Sequence, residues 1–159
     1  MLVLMTRVPL HELPEYVRTV IASLALNRNN TKAVVVALRG ELGSGKTTFA
    51  QQFARQMGVT DVVQSPTYVL MKKYALPEGL NVFGQPRFKT LIHIDAYRLT
   101  SAEEFAALKP EEFLRDPSVI VVIEWPERVK GALPRPDLIL NFSSAGTAPE
   151  ERYIEMVHD

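Results

Sequence analysis

The segment from Gly40 to Thr47 carries the most specific chemical signal in the sequence. It reads Gly-Glu-Leu-Gly-Ser-Gly-Lys-Thr and matches the pattern G-x-x-x-x-G-K-[ST] of phosphate-binding loops. Its glycines permit backbone angles and close approaches that side chains would obstruct, so consecutive amides can face phosphate oxygens. Lys46 can reach the β- and γ-phosphates, and the hydroxyl of Thr47 can bind Mg²⁺. We therefore predict a site for a nucleoside triphosphate with Mg²⁺.

Two acidic residues stand where they could complete such a site. Asp95 follows the apolar run 91–94, and Glu124 follows the apolar run 119–123. Ligands of open α/β sheets bind outside the carboxyl ends of the strands, so either carboxylate could meet Mg²⁺ or an attacking water. The alternative to a functional role is that each carboxylate is simply a solvated group at the protein surface. We expect His93 to be a hydrogen-bonded strand residue rather than a metal ligand, because no other histidine is placed to help it.

The segments around these residues have the patterns of strands and helices that alternate. An unbroken, mostly β-branched run at residues 34–38 predicts a central strand covered on both faces. From Lys46 onward, apolar residues recur at helical spacing and predict a helix, which Gly58 is expected to end. The other predicted strands are residues 2–5, 68–74, 91–97, 118–123, 138–142 and 153–157. The other predicted helices run from residue 13 to about Asn29 and from Thr100 or Ser101, with Glu103 or Glu104 completing a capping box.

This alternation predicts a single α/β domain over residues 1–159. We expect a P-loop NTPase fold: a mixed sheet with parallel core strands, antiparallel edge hairpins and flanking helices. Residues 68–74 and 91–97 should form an antiparallel pair, and residues 138–142 and 153–157 a final hairpin. The connector 76–89, rich in Pro and Gly, should be an exposed flap.

Composition excludes several classes of protein. The 159 residues contain 18 Lys plus Arg and 18 Asp plus Glu, for a formal net charge of zero, so no overall field favours nucleic acid or an acidic membrane. With no cysteine, disulfides, thiolate zinc sites and cysteine nucleophiles are excluded, which fits a reducing compartment. No apolar run is long enough for a secretory core or a membrane span. We expect a soluble, cytoplasmic protein.

Four segments together carry a family resemblance. They are GELGSGKTT at residues 40–48, SPTY at 65–68, HIDAYRL at 93–99 and IEWPE at 123–127. In this order they resemble the bacterial TsaE family, formerly called YjeE, the ATPase component of tRNA threonylcarbamoyladenosine biosynthesis. The similarity runs from about Val34 to the C-terminus.

The resemblance implies roles for individual residues. Lys46 would serve the phosphates, Asp95 would support Mg²⁺, and Glu124 would assist hydrolysis, so the implied catalytic residues are Lys46, Asp95 and Glu124. The implied metal site comprises Thr47, Asp95 and Glu124. The implied nucleotide contacts are Glu41, Leu42, Gly43, Ser44, Gly45, Lys46, Thr47, Thr48, Thr67 and Trp125.

The resemblance also implies ATP and Mg²⁺ as cofactors, and TsaD and TsaB as partner proteins that carry the transferase site. Contact with tRNA would then be only indirect, which agrees with the neutral composition. The main alternative is a P-loop small-molecule kinase, which usually needs an acceptor pocket and a mobile lid with basic residues. A GTPase is less favoured, because no Asn-Lys-x-Asp segment occurs. A further alternative is a binding module in which ATP stabilises an assembly and hydrolysis is incidental.

Overall fold

The computed structural model describes residues 5–26, 31–61, 69–78, 88–144 and 149–158. Within these ranges seven strands form one sheet in the order β1-β7-β6-β2-β5-β4-β3. The strands are β1 (Met5–Pro9), β2 (Val34–Gly40), β3 (Met71–Ala75), β4 (Thr90–Asp95), β5 (Val119–Glu124), β6 (Leu138–Ser143) and β7 (Glu151–His158). The α-helices are α1 (Leu13–Leu26), α2 (Lys46–Gln56), α3 (Ala102–Ala106) and α4 (Glu111–Leu114), with 3-10 helices at Leu10–Glu12 and Pro126–Val129.

The centre of the sheet is parallel, as the sequence predicted. Strand β2 pairs with β5 on one side and β6 on the other, and β5 pairs in turn with β4. Residues 34–38 are all buried, because their apolar side chains point alternately into cores on both faces of the sheet. The register places Glu124 beside Leu38 on β2 and beside Asp95 on β4.

The edges of the sheet are antiparallel, and both predicted hairpins are confirmed. Strand β3 pairs with β4, and β7 pairs with both β6 and β1. Edge strand β1 extends over Met5–Pro9, where it pairs with Glu151–Glu155 of β7, and it shares Met5 with the strand expected at residues 2–5. The rest of that expected strand lies outside the described part of the chain. Pro9 is tolerated because it ends an edge strand.

Strand β3 begins later and strand β4 ends earlier than predicted, for local backbone reasons. Strand β3 begins at Met71 rather than at residue 68, because the residue before it, Leu70, has a left-handed φ of 61°. Residue 68 itself lies outside the described part of the chain. Strand β4 ends at Asp95 rather than at Tyr97, because an Asp95 Oδ1 atom accepts a hydrogen bond from the Tyr97 amide at 3.0 Å. Such a bond to the amide two residues on turns the chain.

Helices cover both faces of the sheet. Apolar side chains of α1 and α2, such as Val17 and Phe53, pack against one set of strand residues. Phe105 of α3 and Phe113 of α4 pack against the other set. The predicted cap of α3 is confirmed at Ser101, whose hydroxyl accepts from the Glu104 amide. Residues 62–68 and 79–87 are not described, so most of the expected flap and Thr67 lie outside the described part.

Two glycines of the loop allow a matched test of steric demand. A Cβ atom on Gly40 would lie 2.5 Å from the Phe142 carbonyl oxygen, whereas one on Gly43 would meet nothing within 4 Å. Both residues have positive φ angles, of 145° and 76°, so both alanine variants have backbone strain of about 1–2 kcal/mol. In Gly40→Ala the backbone at Phe142 must also move, so we expect this variant to lose ~1–3 kcal/mol more of its free energy of unfolding than Gly43→Ala loses. Urea denaturation should show this difference, and equal losses in the two variants would contradict it.

Candidate functional site

The glycine loop connects the carboxyl end of β2 to the first turn of α2. Gly40, Gly43 and Gly45 all have positive φ angles, which glycine adopts without a steric penalty. The loop closes on itself where the Ser44 amide donates to the Glu41 carbonyl at 3.2 Å. The Ser44 amide is therefore engaged within the loop, whereas the sequence predicted that consecutive amides can face phosphate oxygens. The loop ends at the N-terminus of an 11-residue helix, where the helix dipole favours an anion.

Lys46 is buried at the base of this loop, with 4% of its surface exposed. Its Nζ donates to the carbonyl oxygens of Gly40 and Glu41, both at 2.7 Å. Burial lowers the pKa of Lys46 below 10.5, and nearby carboxylates, first among them Glu124, oppose that shift. The carbonyls and the carboxylates thus stabilise a cation at the base of the glycine loop.

An aromatic pair covers the Lys46 ammonium. Its Nζ lies 4.1 Å from the centroid of the Trp125 ring, within the range of a cation–π contact. The Tyr97 ring packs on Trp125 with 5.0 Å between the ring centroids. Trp125 has φ 60° and ψ 49°, a left-handed conformation that is strained for a large side chain. Strained residues of this kind are concentrated at functional sites. Here the strained residue is the one whose indole ring contacts Lys46.

Glu124 links three elements of the site. Its Oε2 accepts a hydrogen bond from the Thr47 hydroxyl, and its Oε1 pairs with His93 Nε2, both at 2.8 Å. The side chains of His93 and Glu124 are each 2% exposed. A carboxylate can only accept, so Nε2 carries the proton when Glu124 is ionised. His93 is therefore a hydrogen-bonded strand residue, as predicted, and its Nδ1 has no partner among the residues that the structure describes.

Asp95 lies next to Glu124 at the end of the neighbouring strand. The two residues are directly paired in the parallel register of β4 and β5, and Asp95 is 4% exposed. The hydrogen bond from the Tyr97 amide orients the Asp95 carboxylate. The two carboxylates that the sequence singled out thus meet at one edge of the sheet, next to the glycine loop.

A cleft of about 270 Å³ opens between these groups. It is lined by Leu42, Gly43, Gly45, Lys46, Thr47, Thr48, Asp95, Tyr97, Glu124, Trp125 and Arg152. The predicted residues Glu41 and Ser44 do not line it, although Glu41 contributes the carbonyl oxygen that Lys46 contacts. Thr67 cannot be placed, because it lies outside the described residues.

Sequence reasoning missed two residues that line the cleft, Tyr97 and Arg152. Tyr97 stands in the segment that carries the family resemblance, and its position two residues after Asp95 could have indicated it. Arg152 had no such signal, because only the pairing of β7 with β6 brings this C-terminal strand near the loop.

The residues present fit Mg²⁺ bound together with a nucleotide. Among the described residues, no group of three or more His, Cys, Asp or Glu side chains could hold a metal ion. Magnesium in nucleotide sites needs only one or two protein oxygens beside phosphate oxygens and water. The Thr47 hydroxyl, next to the carboxylates of Glu124 and Asp95, supplies oxygens of this kind. In the described ranges, no helix is long and apolar enough to cross a membrane.

The central strand, the glycine loop and the following helix define the P-loop class of α/β proteins. The sequence model of the family described as "Threonylcarbamoyl adenosine biosynthesis protein TsaE" matches residues 13–154. The chain therefore belongs to the TsaE family, in agreement with the resemblance noted above.

Individual relatives agree with this assignment. A Haemophilus influenzae protein named "tRNA threonylcarbamoyladenosine biosynthesis protein TsaE" is 34% identical over 136 residues, which cover 86% of this chain and 77% of the relative. A Borreliella burgdorferi protein of the same name is 35% identical over 114 residues, covering 71% and 75%. The solved structure of Bacillus subtilis YdiB superposes with a TM-score of 0.62 at 23% identity, covering 100% of this chain and 89% of the other. That structural likeness shows the shared fold.

Proposed function

We propose that this protein binds and hydrolyses ATP with Mg²⁺ as a component of the tRNA threonylcarbamoyladenosine modification machinery. The observation that carries the chemistry is the hydrogen-bonded chain His93–Glu124–Thr47, whose first two residues are buried and which ends beside the glycine loop. Family membership and the names of the relatives support the place in tRNA modification. The zero net charge agrees with a protein that acts on a partner complex rather than gripping tRNA itself.

Glu124 is suited to activate a water molecule. Both of its oxygens are held in place, one by Thr47 and one by His93, while an ionised carboxylate has about four acceptor positions. Lone pairs therefore remain to accept a proton from water as its oxygen attacks the γ-phosphorus and ADP leaves. His93, which donates to Glu124, keeps the carboxylate oriented until that transfer.

Lys46 and the loop amides are suited to bind the phosphates. The Lys46 ammonium lies against the loop, where it donates to the Gly40 and Glu41 carbonyls and the Ser44 hydroxyl and the Trp125 ring covers it. Because an ammonium has three donors, contact with the β- and γ-phosphates requires part of these hydrogen bonds to be exchanged. Thr47 and Asp95 would hold Mg²⁺, with Glu124 adjacent. When bound, Mg²⁺ supplies positive charge to the phosphoryl oxygens.

Partners of the TsaD and TsaB type fit this proposal. We infer that nucleotide turnover drives a step in the cycle of their transferase complex, and that the chain alone turns over slowly. We infer a cytoplasmic location, where tRNA is modified. Contact with tRNA would remain indirect.

The single tryptophan of the chain provides the first test. Trp125 is the only tryptophan, and it covers Lys46 in the cleft, so binding of Mg-ATP should change its fluorescence in a saturable way. Calorimetry on the same material checks the affinity. If neither method detected binding, even with TsaD and TsaB present, the proposed function would be refuted.

Labelled ATP distinguishes hydrolysis from the alternatives. We expect only ADP and inorganic phosphate, at a rate that rises when TsaD and TsaB are added. Transfer of label to a small metabolite would instead support a kinase. Unchanged repeated tRNA modification with a nonhydrolysable ATP analogue would support a binding module.

A further inference from the structure

A second groove, of about 480 Å³, lies on the face of the sheet that carries α3 and α4. One wall is the end of β2, where Arg39 lies on that face because it alternates with Val35 and Ala37. The other wall is the 3-10 helix Pro126–Val129 and the loop at residues 130–136 that follows it. Of the described residues that line this groove, none also lines the nucleotide cleft. The groove is therefore a separate surface feature.

Backbone contacts hold the walls of the groove in place. The Val35 amide donates to Asp137 Oδ2 at 2.8 Å, and the Asp137 amide donates to the Val35 carbonyl at 2.9 Å. Nearer the 3-10 helix, the Leu133 amide donates to the Val129 carbonyl at 3.2 Å. Prolines also line the groove, and their fixed φ angles stiffen its wall. The groove is thus preformed, so binding there needs little ordering of this chain.

The charged side chains of the groove are mainly basic. Arg39, Lys130 and Arg135 are positive, and Glu127 is negative, so the groove has a net charge of +2. All four residues are exposed. Within the described ranges, no carboxylate pairs with Arg39 or Lys130, and Glu127 forms no ion pair. On a chain whose formal net charge is zero, this local excess of positive charge attracts carboxylates.

The lining of the groove fits a segment of a protein better than a nucleic acid. Prolines and Leu133 place apolar surface between the charged groups. A phosphate backbone binds through the number of cations that it meets, and the carboxylate of Glu127 opposes such binding. An apolar surface edged by basic side chains instead matches a partner segment that combines an apolar side chain with acidic ones.

The groove adjoins the nucleotide site through two pairs of neighbouring residues. Arg39 directly precedes Gly40, whose carbonyl oxygen accepts a hydrogen bond from Lys46. Pro126 directly follows Trp125, whose ring covers the same ammonium. A partner in the groove therefore contacts the residues next to those that hold the Lys46 ammonium.

We propose that this groove is the docking site for an acidic segment of the partner protein, which places carboxylates against Arg39 and Lys130 and an apolar side chain against Leu133. The inference rests on the proposed function, because it takes the TsaD–TsaB complex as the source of that segment. Docking there lets the partner act on the nucleotide site from outside the cleft.

Charge reversal in the groove tests the inference. Arg39→Glu and Lys130→Glu should each weaken binding of the chain to the TsaD–TsaB complex about 10-fold, and the double variant about 100-fold, because like charges then face each other. Arg55→Glu is the matched control, because Arg55 is exposed on α2, which covers the other face of the sheet. Calorimetry should show wild-type affinity for this control. The isolated groove variants should keep wild-type affinity for Mg-ATP, since neither residue lines the cleft.

Glu127→Gln separates charge complementarity from a general disturbance of the groove. Glu127 repels an acidic segment, so this variant should bind the complex as tightly as wild type or more tightly. If it weakened binding as Arg39→Glu does, the occupant would not be acidic, and the inference would be overturned.

Three other outcomes would also overturn the inference, and they differ in what else they reject. Unchanged affinity of both reversal variants for the complex, with wild type still binding, would reject the groove and leave the proposed function intact. Binding of tRNA by the isolated chain that is lost in Arg39→Glu would make the groove an RNA site instead. Absence of binding between wild type and the complex, with Mg-ATP present, would reject the proposed partners as well. Urea denaturation checks folding, and if Arg39→Glu did not fold, Lys130→Glu would decide by the same criteria.

Discussion

Replacing Glu124 with glutamine should abolish most ATP hydrolysis while leaving nucleotide binding intact. Glutamine preserves the shape of the side chain, and its carbonyl can still accept from His93 Nε2, so the packing around this 1%-exposed residue is retained. Its neutral amide cannot take a proton from water. Loss of a general base typically costs about 10²- to 10⁴-fold in rate, and we expect a fall of that size in single-turnover hydrolysis by the complex with TsaD and TsaB.

Glu112→Gln is the matched control for this variant. Glu112 lies in α4, is exposed and does not line the cleft. We expect it to leave hydrolysis unchanged. Trp125 fluorescence should report the same Mg-ATP affinity, within about threefold, for both variants and for wild type. Hydrolysis by Glu124→Gln at the wild-type rate would remove Glu124 from the mechanism and leave Asp95 as the carboxylate to examine.

Replacing Lys46 with methionine should strongly weaken nucleotide binding itself. Methionine fills much of the space of the lysine stem but provides neither a charge nor a hydrogen bond for phosphate. Loss of a charged hydrogen-bonding group costs about 1.5–3 kcal/mol, or roughly 10- to 100-fold in a binding constant, and we expect about a hundredfold weaker Mg-ATP binding by calorimetry. The free energy of unfolding should also fall by about 1–3 kcal/mol, because the carbonyl oxygens of Gly40 and Glu41 lose their donor, and urea denaturation checks that the variant is still folded.

The Lys46 variant also has a spectroscopic signature. The ammonium lies 4.1 Å from the Trp125 ring centroid, so its removal should change the tryptophan emission even without nucleotide. The exposed Lys130 provides a control, since Lys130→Met removes the same charge without touching the indole. Retention of wild-type affinity by Lys46→Met would show that the loop amides and the helix N-terminus bind the phosphates alone.

Local patterns predicted a large part of the fold and the site. The run at residues 34–38, the glycine loop and the helical spacing after Lys46 form one continuous segment, and local residue types decide each of its parts. Asp95 and Glu124 could be identified because each ends an apolar strand, and carboxyl ends of parallel strands meet at one edge. Their direct pairing in the structure follows from that shared position.

Contacts between distant segments could not be predicted in the same way. Strand β1 extends over Met5–Pro9, beyond the apolar run that predicted it, because it pairs with β7. The left-handed backbone of Trp125 is unusual for tryptophan, so no local preference indicated it. The link from His93 to Glu124 joins two strands, and their register, rather than their composition, brings the two polar atoms within 2.8 Å.

The sequence by itself determined which residues are available to the proposed phosphate and Mg²⁺ site, because the backbone freedom of glycine, the charge of Lys46 and the oxygens of Thr47, Asp95 and Glu124 are properties of the residues. Only the tertiary structure decided how these groups are held. The pairing of β5 with β4 connects Glu124 to His93, and the pairing of β7 with β6 brings Arg152 over Gly45. The physical reason is that strand order and register depend on burial and hydrogen bonding summed over the whole sheet, which no short segment of sequence contains.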